Sequence, residues 1–490
     1  MAAESYKHRR YIGSKESMSF VLFSSSKGFN IEGYRTNFVL KVLHLDMRWA
    51  SIIGVINGIW DVINDGLLGS LIDKTFTRWG KFRPYLFTFA TGGSLLMLLS
   101  WLSPYFLSYN PLSPTKIIFW VLFSMIYEMF GTVKEISENG MIASLSPNPD
   151  DRMRLITKAE VIGAIWESLP ELLMGILYDM AKDDPAKLKT TFGVMGSATV
   201  IVGGVLGLFF CLFGRERISQ AVEKHNYREG LKTILTNRPL RILLISELLG
   251  GFSAETWEFT YYPEVLGSIS LRNFIRLPGA PLSFLSYTYF GKARERLSTK
   301  TLWILGAHLK DFCSLIIFIV GSFGGIYKKA PKELSLKTFL TPMAGMLFLR
   351  NMIYMGTLSF VKIPPREILF DSLDYAEWKN GFRSEGITIS TKNMIMKLVR
   401  NTINALAPAI MNLTGYVPNA PMQTDRAKYA LFTMAFGATA IMGLIGMIPK
   451  LFYNLTGETR AQMHEELHEM RRLRQLEYDK LNGVNAVAES

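Results

Sequence analysis

The chain has 490 residues, of which 49% are hydrophobic and 19% charged, with 32 Phe, 24 Met and a formal net charge of +13. Soluble domains carry roughly 25% charged residues, so this composition points to a polytopic membrane protein and away from a string of soluble modules. The cations gather in short segments between apolar runs, which argues against a nucleic-acid-binding face. The two cysteines, Cys211 and Cys313, both lie in apolar runs and exclude a disulfide framework or a cysteine metal cluster.

The N-terminal "MAAESYKHRRYIG" is polar and basic and lacks an apolar core and cleavage site, so no cleaved signal peptide is expected. A transmembrane helix needs about 20 mostly apolar residues. By that rule, spans are expected near 17–44, 48–72, 83–107, 114–146, 155–180 and 191–214. Six more are expected near 239–266, 270–291, 300–323, 335–363, 386–414 and 427–454. The first, fourth, seventh and tenth are the most polar, as helices facing an internal aqueous cavity are. The expected fold is therefore all-α and polytopic, with twelve transmembrane helices in two six-helix halves.

The expected organisation is a segment 1–16, a first half 17–214, a linker 215–238, a second half 239–454 and a tail 455–490. Lys and Arg cluster in alternate connections: Lys74, Arg78, Lys81 and Arg83, then Arg152, Arg154 and Lys158, then Arg215 to Arg228, then Lys292 to Lys300. The positive-inside rule makes that side cytoplasmic, with both termini on it. Lys328, Lys329 and Lys332 run against the bias. "GKFRPYL" after the second span and "GKARERLSTKTLW" after the eighth occupy equivalent places in the halves, a parallel repeat of the kind found in the major facilitator superfamily. The tail reads as a charged amphipathic helix in solvent.

In "WDVINDGLLGSLIDKTFTRWGKFRPYL", Asp61 and Asp65 stand four residues apart within an apolar run, on one helix face with Asn57. Two carboxylates at membrane depth repel each other, and a small cation between them removes the repulsion. A sodium ion or a proton serves, and an ion pair with a basic side chain of another helix is the rival reading. Lys397, inside an apolar run, needs an acid.

That stretch resembles the second helix and following loop of the glycoside–pentoside–hexuronide:cation symporter family, typified by the melibiose carrier. "ILFDSLDYAEWKNGFRSEG", "TKNMIMKLVRN" and "GYVPNA" are similar to the family's connection between helices ten and eleven and to helix eleven. "SLSPNPDDRMRL" is a third, shorter match. The resemblance implies cation-coupled uptake of a sugar or glycoside by alternating access. It places the two cation-binding aspartates on Asp61 and Asp65 and the nearby lysine on Lys397. The family's helix-four acid falls on Asn139, next to Glu138, and its helix-one sugar-binding aspartate falls near Ser25. The cation pair is thus kept while the galactoside-gripping charges are not.

The expected cation site is Asp61, Asp65, Asn139 and Asn57. Expected coupling or substrate residues are Lys397, Glu138, Ser25 and, from the acid-aromatic stretch "SAETWEFTYY", Trp257, Glu258 and Tyr261. Asp73, Arg78, Lys81, Arg83, Arg152, Asp371 and Asp374 are expected to form a cytoplasmic charge latch. No phosphate loop, His/Cys cluster or nucleophile elbow is present, so the chain reads as no enzyme and as needing no cofactor beyond a transported sodium ion or proton. Its partners are then a small-molecule solute, in first place a carbohydrate, and the bilayer of the plasma membrane, with no nucleic acid and a monomeric chain. Two alternatives stand beside this: the same fold carrying a cationic or amphiphilic organic solute, and a non-transporting sensor or scaffold acting through its tail.

Overall fold

The computed structural model describes residues 11–73, 77–146, 149–216, 227–251, 254–328, 341–380, 385–420 and 422–481. Among these the chain forms twelve helical rods and two accessory helices. The first six rods begin with α1 (Ser14–Gly28, continued by short turns to Val42), α2 (Met47–Asp73) and α3 (Arg83–Thr88, carried on to Leu102). They end with α4 (Pro114–Leu145), α5 (Pro149–Ala181) and α6 (Pro185–Phe213). A linker helix, Tyr227–Thr236, precedes the second set.

That set opens with α7 (Arg238–Gly250 and Ala254–Val265), α8 (Ser270–Arg276 and Gly279–Arg296) and α9 (Thr299–Ser322). It closes with α10 (Pro342–Gly356 and Leu358–Asn380), α11 (Glu385–Leu413) and α12 (Asp425–Phe432, carried on to Leu451). A tail helix, Gly457–Leu481, packs on α10.

Five rods are long and apolar enough to cross a membrane by themselves, and a sixth if the two pieces of α10, bent by 43°, count as one. The other rods are broken or carry more charge. α10 also runs on through Pro364 and Pro365 to Asn380. Asp371 and Asp374 therefore stand on a helix, not in the connection the sequence suggested.

The pattern of α2 explains its placement. Ile52, Ile56, Ile59, Ile63, Leu67 and Leu71 recur at helical spacing and are all exposed, an apolar stripe suited to lipid. Asp61 and Asn64 point the other way and are buried. That inner face packs along α4 in its own half and along α11 in the other. The α2–α11 seam is close: a Cβ built on Gly54 would lie 2.7 Å from Ala405 Cβ, and the Ala409 amide donates to Ser51 Oγ at 2.9 Å. The second joint between the halves is α5 against α8.

Polar bonds tie the halves together at the end that carries the α1–α2 and α11–α12 connections. Lys41 pairs with Glu264, which also accepts from Tyr416 Oη (3.3 Å) and Gln423 Nε2 (3.0 Å). Asn419 Nδ2 donates to the Lys41 carbonyl at 2.8 Å, and Lys182 Nζ donates to the Gly267 carbonyl. The Asp179 carboxylate caps α8, accepting from the amides of Ile269 (3.0 Å) and Ser270 (2.9 Å) and from the Ser268 hydroxyl (2.7 Å). Asn273 Nδ2 reaches the Glu171 carbonyl at 2.9 Å.

At the opposite end the corresponding bonds among the described residues stay within a half or run to the linker. The Glu216 carboxylate accepts the amides of Lys81 (2.8 Å), Phe82 (2.8 Å) and Arg83 (3.1 Å) at the start of α3. The Arg83 guanidinium closes the end of α6 through the carbonyls of Cys211 (2.8 Å) and Leu212 (3.1 Å). Arg83→Ala frees those carbonyls, and the expected cost is about 1–3 kcal/mol of stability, read as a lower melting temperature of the detergent-solubilised chain. An unchanged melting temperature would show that the cap contributes nothing. Asn237 Nδ2 donates to the Ser372 carbonyl (2.6 Å), and Lys392 pairs with Glu247 (2.6 Å).

Candidate functional site

Asp61 sits midway along α2, fully buried, on the seam between the halves. Lys397 of α11 lies 2.7 Å from Asp61 Oδ1, and Asn401, one turn further along α11, donates to Asp61 Oδ2 at 3.0 Å. Both rival readings of the paired acids therefore meet at one residue: the buried carboxylate has an ion-pair partner from another helix. On the α4 side, Asn64 Nδ2 donates to Thr132 Oγ1 (3.0 Å) and Trp60 Nε1 to the Met125 carbonyl (3.1 Å), which fixes the rotation of α2.

One turn before Asp61, the buried Asn57 Oδ1 has no hydrogen-bond partner among the described residues. A buried amide oxygen without a donor costs free energy, and a hard cation would satisfy it. Asn57, Asn401, Asn404, Arg35 and Glu128 line a cavity of about 300 Å³ between α1, α2, α4 and α11. Asp65 follows one turn after Asp61, and its side chain lies outside the described residues.

Asn139 is not brought to this site. Asn64 meets Thr132 at one level of the parallel pair α2–α4, Asp61 lies three residues before that level and Asn139 seven beyond it. That is an axial separation of about 15 Å at 1.5 Å per residue, and the Asn139 side chain is exposed. Glu138, turned about 100° away, pairs instead with Lys27 of α1 at 2.5 Å. Ser25 is buried, and its hydroxyl has no partner among the described residues.

The stretch on α7 divides. Trp257 and Tyr261 belong to the apolar core of the second half, where the Tyr261 hydroxyl donates to the Tyr327 carbonyl at 2.6 Å and its ring meets Phe432 and Phe436. Neither lines a described cavity. Glu258 does: it lies 2.7 Å from Arg350 on α10, whose Nε donates to Ser314 Oγ at 2.8 Å. Glu258, Tyr262, Arg272, Arg276, Lys310, Arg350 and Tyr354 line a cavity of about 290 Å³ among α7, α8, α9 and α10. Arg272 and Arg276 escaped the sequence reading, although the spacing of the two arginines in "SLRNFIRLP" put both on one face of an apolar span. Arg35 escaped it too. Its guanidinium pairs with Glu32 and faces the rings of Trp101, Trp120, Phe123 and Tyr127 at 5.3–6.0 Å.

The expected charge latch takes other partners. Arg78 lies over the Trp79 ring at 5.9 Å, Lys81 and Arg83 are engaged with Glu216 and the end of α6, and Asp371 pairs with Arg460 of the tail helix at 2.8 Å. Asp374 is half-buried on α10. The side chains of Asp73 and Arg152 lie outside the described residues. On the tail helix, hydrogen bonds from Trp378 of α10 and from Gln462 hold Glu466 below the usual carboxylate range.

Residues 26–457 match the family described as MFS/sugar transport protein. The chain is 26% identical over 470 residues to the uncharacterized symporter YjmB of Bacillus subtilis (strain 168), covering 93% of this chain and 95% of that protein. It is 23% identical over 460 residues to the isoprimeverose transporter of Lactiplantibacillus pentosus, covering 91% and 90%. Its fold matches that of the xylose transporter XylE from E. coli in the inward open conformation with a TM-score of 0.55 at 15% identity, covering 94% of this chain and 98% of that one.

Proposed function

The chain belongs to the family of MFS/sugar transport proteins, and from that premise we propose that it imports a sugar or glycoside across the plasma membrane, driven by a proton or sodium ion that binds at Asp61. The observation that carries this reading is the buried Asp61–Lys397 pair at the seam of the halves. A lone carboxylate at that depth is costly, and the lysine neutralises it while the site is vacant. An entering cation takes over that role. A proton does so by neutralising the carboxylate. A sodium ion does so with the oxygens of Asp61, Asn57 and Asn401, while Asp65 stands one turn away. In either case Lys397 is released from its partner, and that change of partner couples the ion to the halves' arrangement.

Orientation follows from the Lys and Arg clusters of the alternate connections, which put both termini in the cytoplasm. The tied end then faces outside, and the arrangement described is closed to the exterior. A cationic solute gains no support, because four cations and one carboxylate line the α7–α10 cavity. The scaffold reading loses its free tail, since the described part of the tail helix docks on the chain's own α10.

The test is solute-driven ion movement in proteoliposomes, followed with pH-sensitive and sodium-sensitive dyes across glycosides, pentosides and uronides. A sugar that carries protons or sodium inward identifies solute and ion together. Silence across the panel, from correctly inserted protein, would overturn the reading.

A further inference from the structure

The α7–α10 cavity has a composition that a neutral sugar does not call for. Arg272, Arg276, Lys310 and Arg350 line it with a single carboxylate, Glu258. Four cations less one anion leave a formal charge of +3 around about 290 Å³, with Arg272 and Arg350 buried. Buried charge is normally cancelled by partners or by a ligand. Glu258 is committed to Arg350 at 2.7 Å, and the neighbouring Asp311 is engaged with His308 Nδ1 at 3.0 Å. Lys310 lies over the Tyr354 ring at 4.8 Å, and Arg272 over the Phe259 ring at 3.7 Å. Among the described residues, neither Lys310 nor Arg276 forms an ion pair.

The cations come from three different rods: α8 supplies Arg272 and Arg276, α9 Lys310 and α10 Arg350. They converge on one space from different helices: Arg272 and Arg350 are buried, Lys310 is half-buried, and Arg276 stands exposed at its edge. Tyr262 and Tyr354 add ring faces and hydroxyls beside them. A planar guanidinium and an ammonium around one space suit a carboxylate, sulfonate or phosphate oxygen set.

We propose that this cavity is an anion subsite that seats the carboxylate, sulfonate or phosphate group of an acidic solute, with Arg276 and Lys310 as its principal contacts. The proposal deepens the transport reading and rests on it for the identity of the solute as a sugar derivative. Arg350, held by Glu258 and Ser314, shapes the wall, and the two less engaged cations meet the ligand. Solute charge is then cancelled within the second half, while the coupling cation is cancelled at Asp61 on the seam.

The test is equilibrium binding to the full-length chain in detergent, with no ion gradient, using matched probes: D-glucose against D-glucuronate, and D-galactose against D-galacturonate. The uronate of at least one pair is expected to bind about tenfold or more tighter than its neutral partner, the value of one well-placed charge-assisted contact. Arg276→Gln and Lys310→Gln are each expected to reduce that preference by about tenfold. Equal binding of both members of each pair would overturn the inference. So would variants that weaken both members alike, since that marks a structural role, and so would the absence of uronate binding by protein whose melting transition is intact. Uronate binding without ion-coupled transport would sink the coupling reading and leave the subsite standing. Coupled transport of neutral sugars with no preference for the anion would do the reverse.

Discussion

Asp61→Asn is expected to abolish gradient-driven accumulation of the solute while leaving exchange of labelled solute across the membrane. One monovalent cation moving down about 100 mV contributes about 2.3 kcal/mol, enough for about a 50-fold concentration ratio. Without the Asp61 carboxylate, the seam loses the group that exchanges its lysine for the ion, and the ratio should fall to about one. The check is accumulation against counterflow in the same proteoliposomes. An Asp61→Asn chain that still accumulated solute would remove Asp61 from the coupling path. The same change has a cost in stability, because it leaves the Lys397 ammonium facing a neutral amide. Breaking a buried pair costs about 3–5 kcal/mol. Lys397 is 32% exposed, so the loss should lie near or below the lower bound. Adding Lys397→Gln should then restore much of it, a coupling that a double-mutant cycle on melting temperatures reads directly.

Glu264→Gln is expected to open the tied end. Lys41 and Glu264 are 11% and 8% exposed, and Tyr416 and Gln423 close around the carboxylate. Neutralising Glu264 strands the Lys41 ammonium in the closed arrangement alone, because opening returns it to water. A difference of about 3 kcal/mol between the two arrangements shifts their ratio by on the order of 100-fold. Spin labels at the exposed positions Lys187 and Arg426, one in each half, should report a longer distance in the variant. The double variant Lys41→Gln/Glu264→Gln, which strands no charge, should return most of the way. An unchanged distance in Glu264→Gln would mean that the remaining ties, Asn419 to the Lys41 carbonyl and the α5–α8 contacts, hold this end.

The twelve rods and their approximate limits were readable in the sequence because lipid imposes a length and a polarity on each span. The inward rotation of Asp61 was readable for the same reason, since the isoleucine and leucine stripe of α2 leaves one polar face. The partner of each charge was not. Burial tells that Glu138, Arg83 and Asp371 need something, but packing decides that Lys27, the end of α6 and Arg460 supply it. The far end of α10 was not readable: the span was expected to end near 363, and the helix runs on through Pro364 and Pro365 to Asn380. A proline removes one donor and one turn's bond, and the neighbouring rods hold the helix through that loss. The arginines of α8 were not readable as a site, because the cavity they build appears only when four separate rods, α7 to α10, pack together.

The seam at Gly54 and Ala405 carries a further consequence. Where two bodies touch along a line with no room for a side chain, they can tilt about that line but cannot part there. Displacement is then largest at the ends of the rods and smallest at the contact. Gly58, packed on Asn401, and Asp61, bonded to the same asparagine, lie within two turns of that fulcrum. The ends of the bundle can then swing widely while the oxygens of Asp61 and Asn401 keep nearly the same spacing. On the proposed coupling at Asp61, a cation held there would need no new ligands on the way through, because that point of the lever hardly moves.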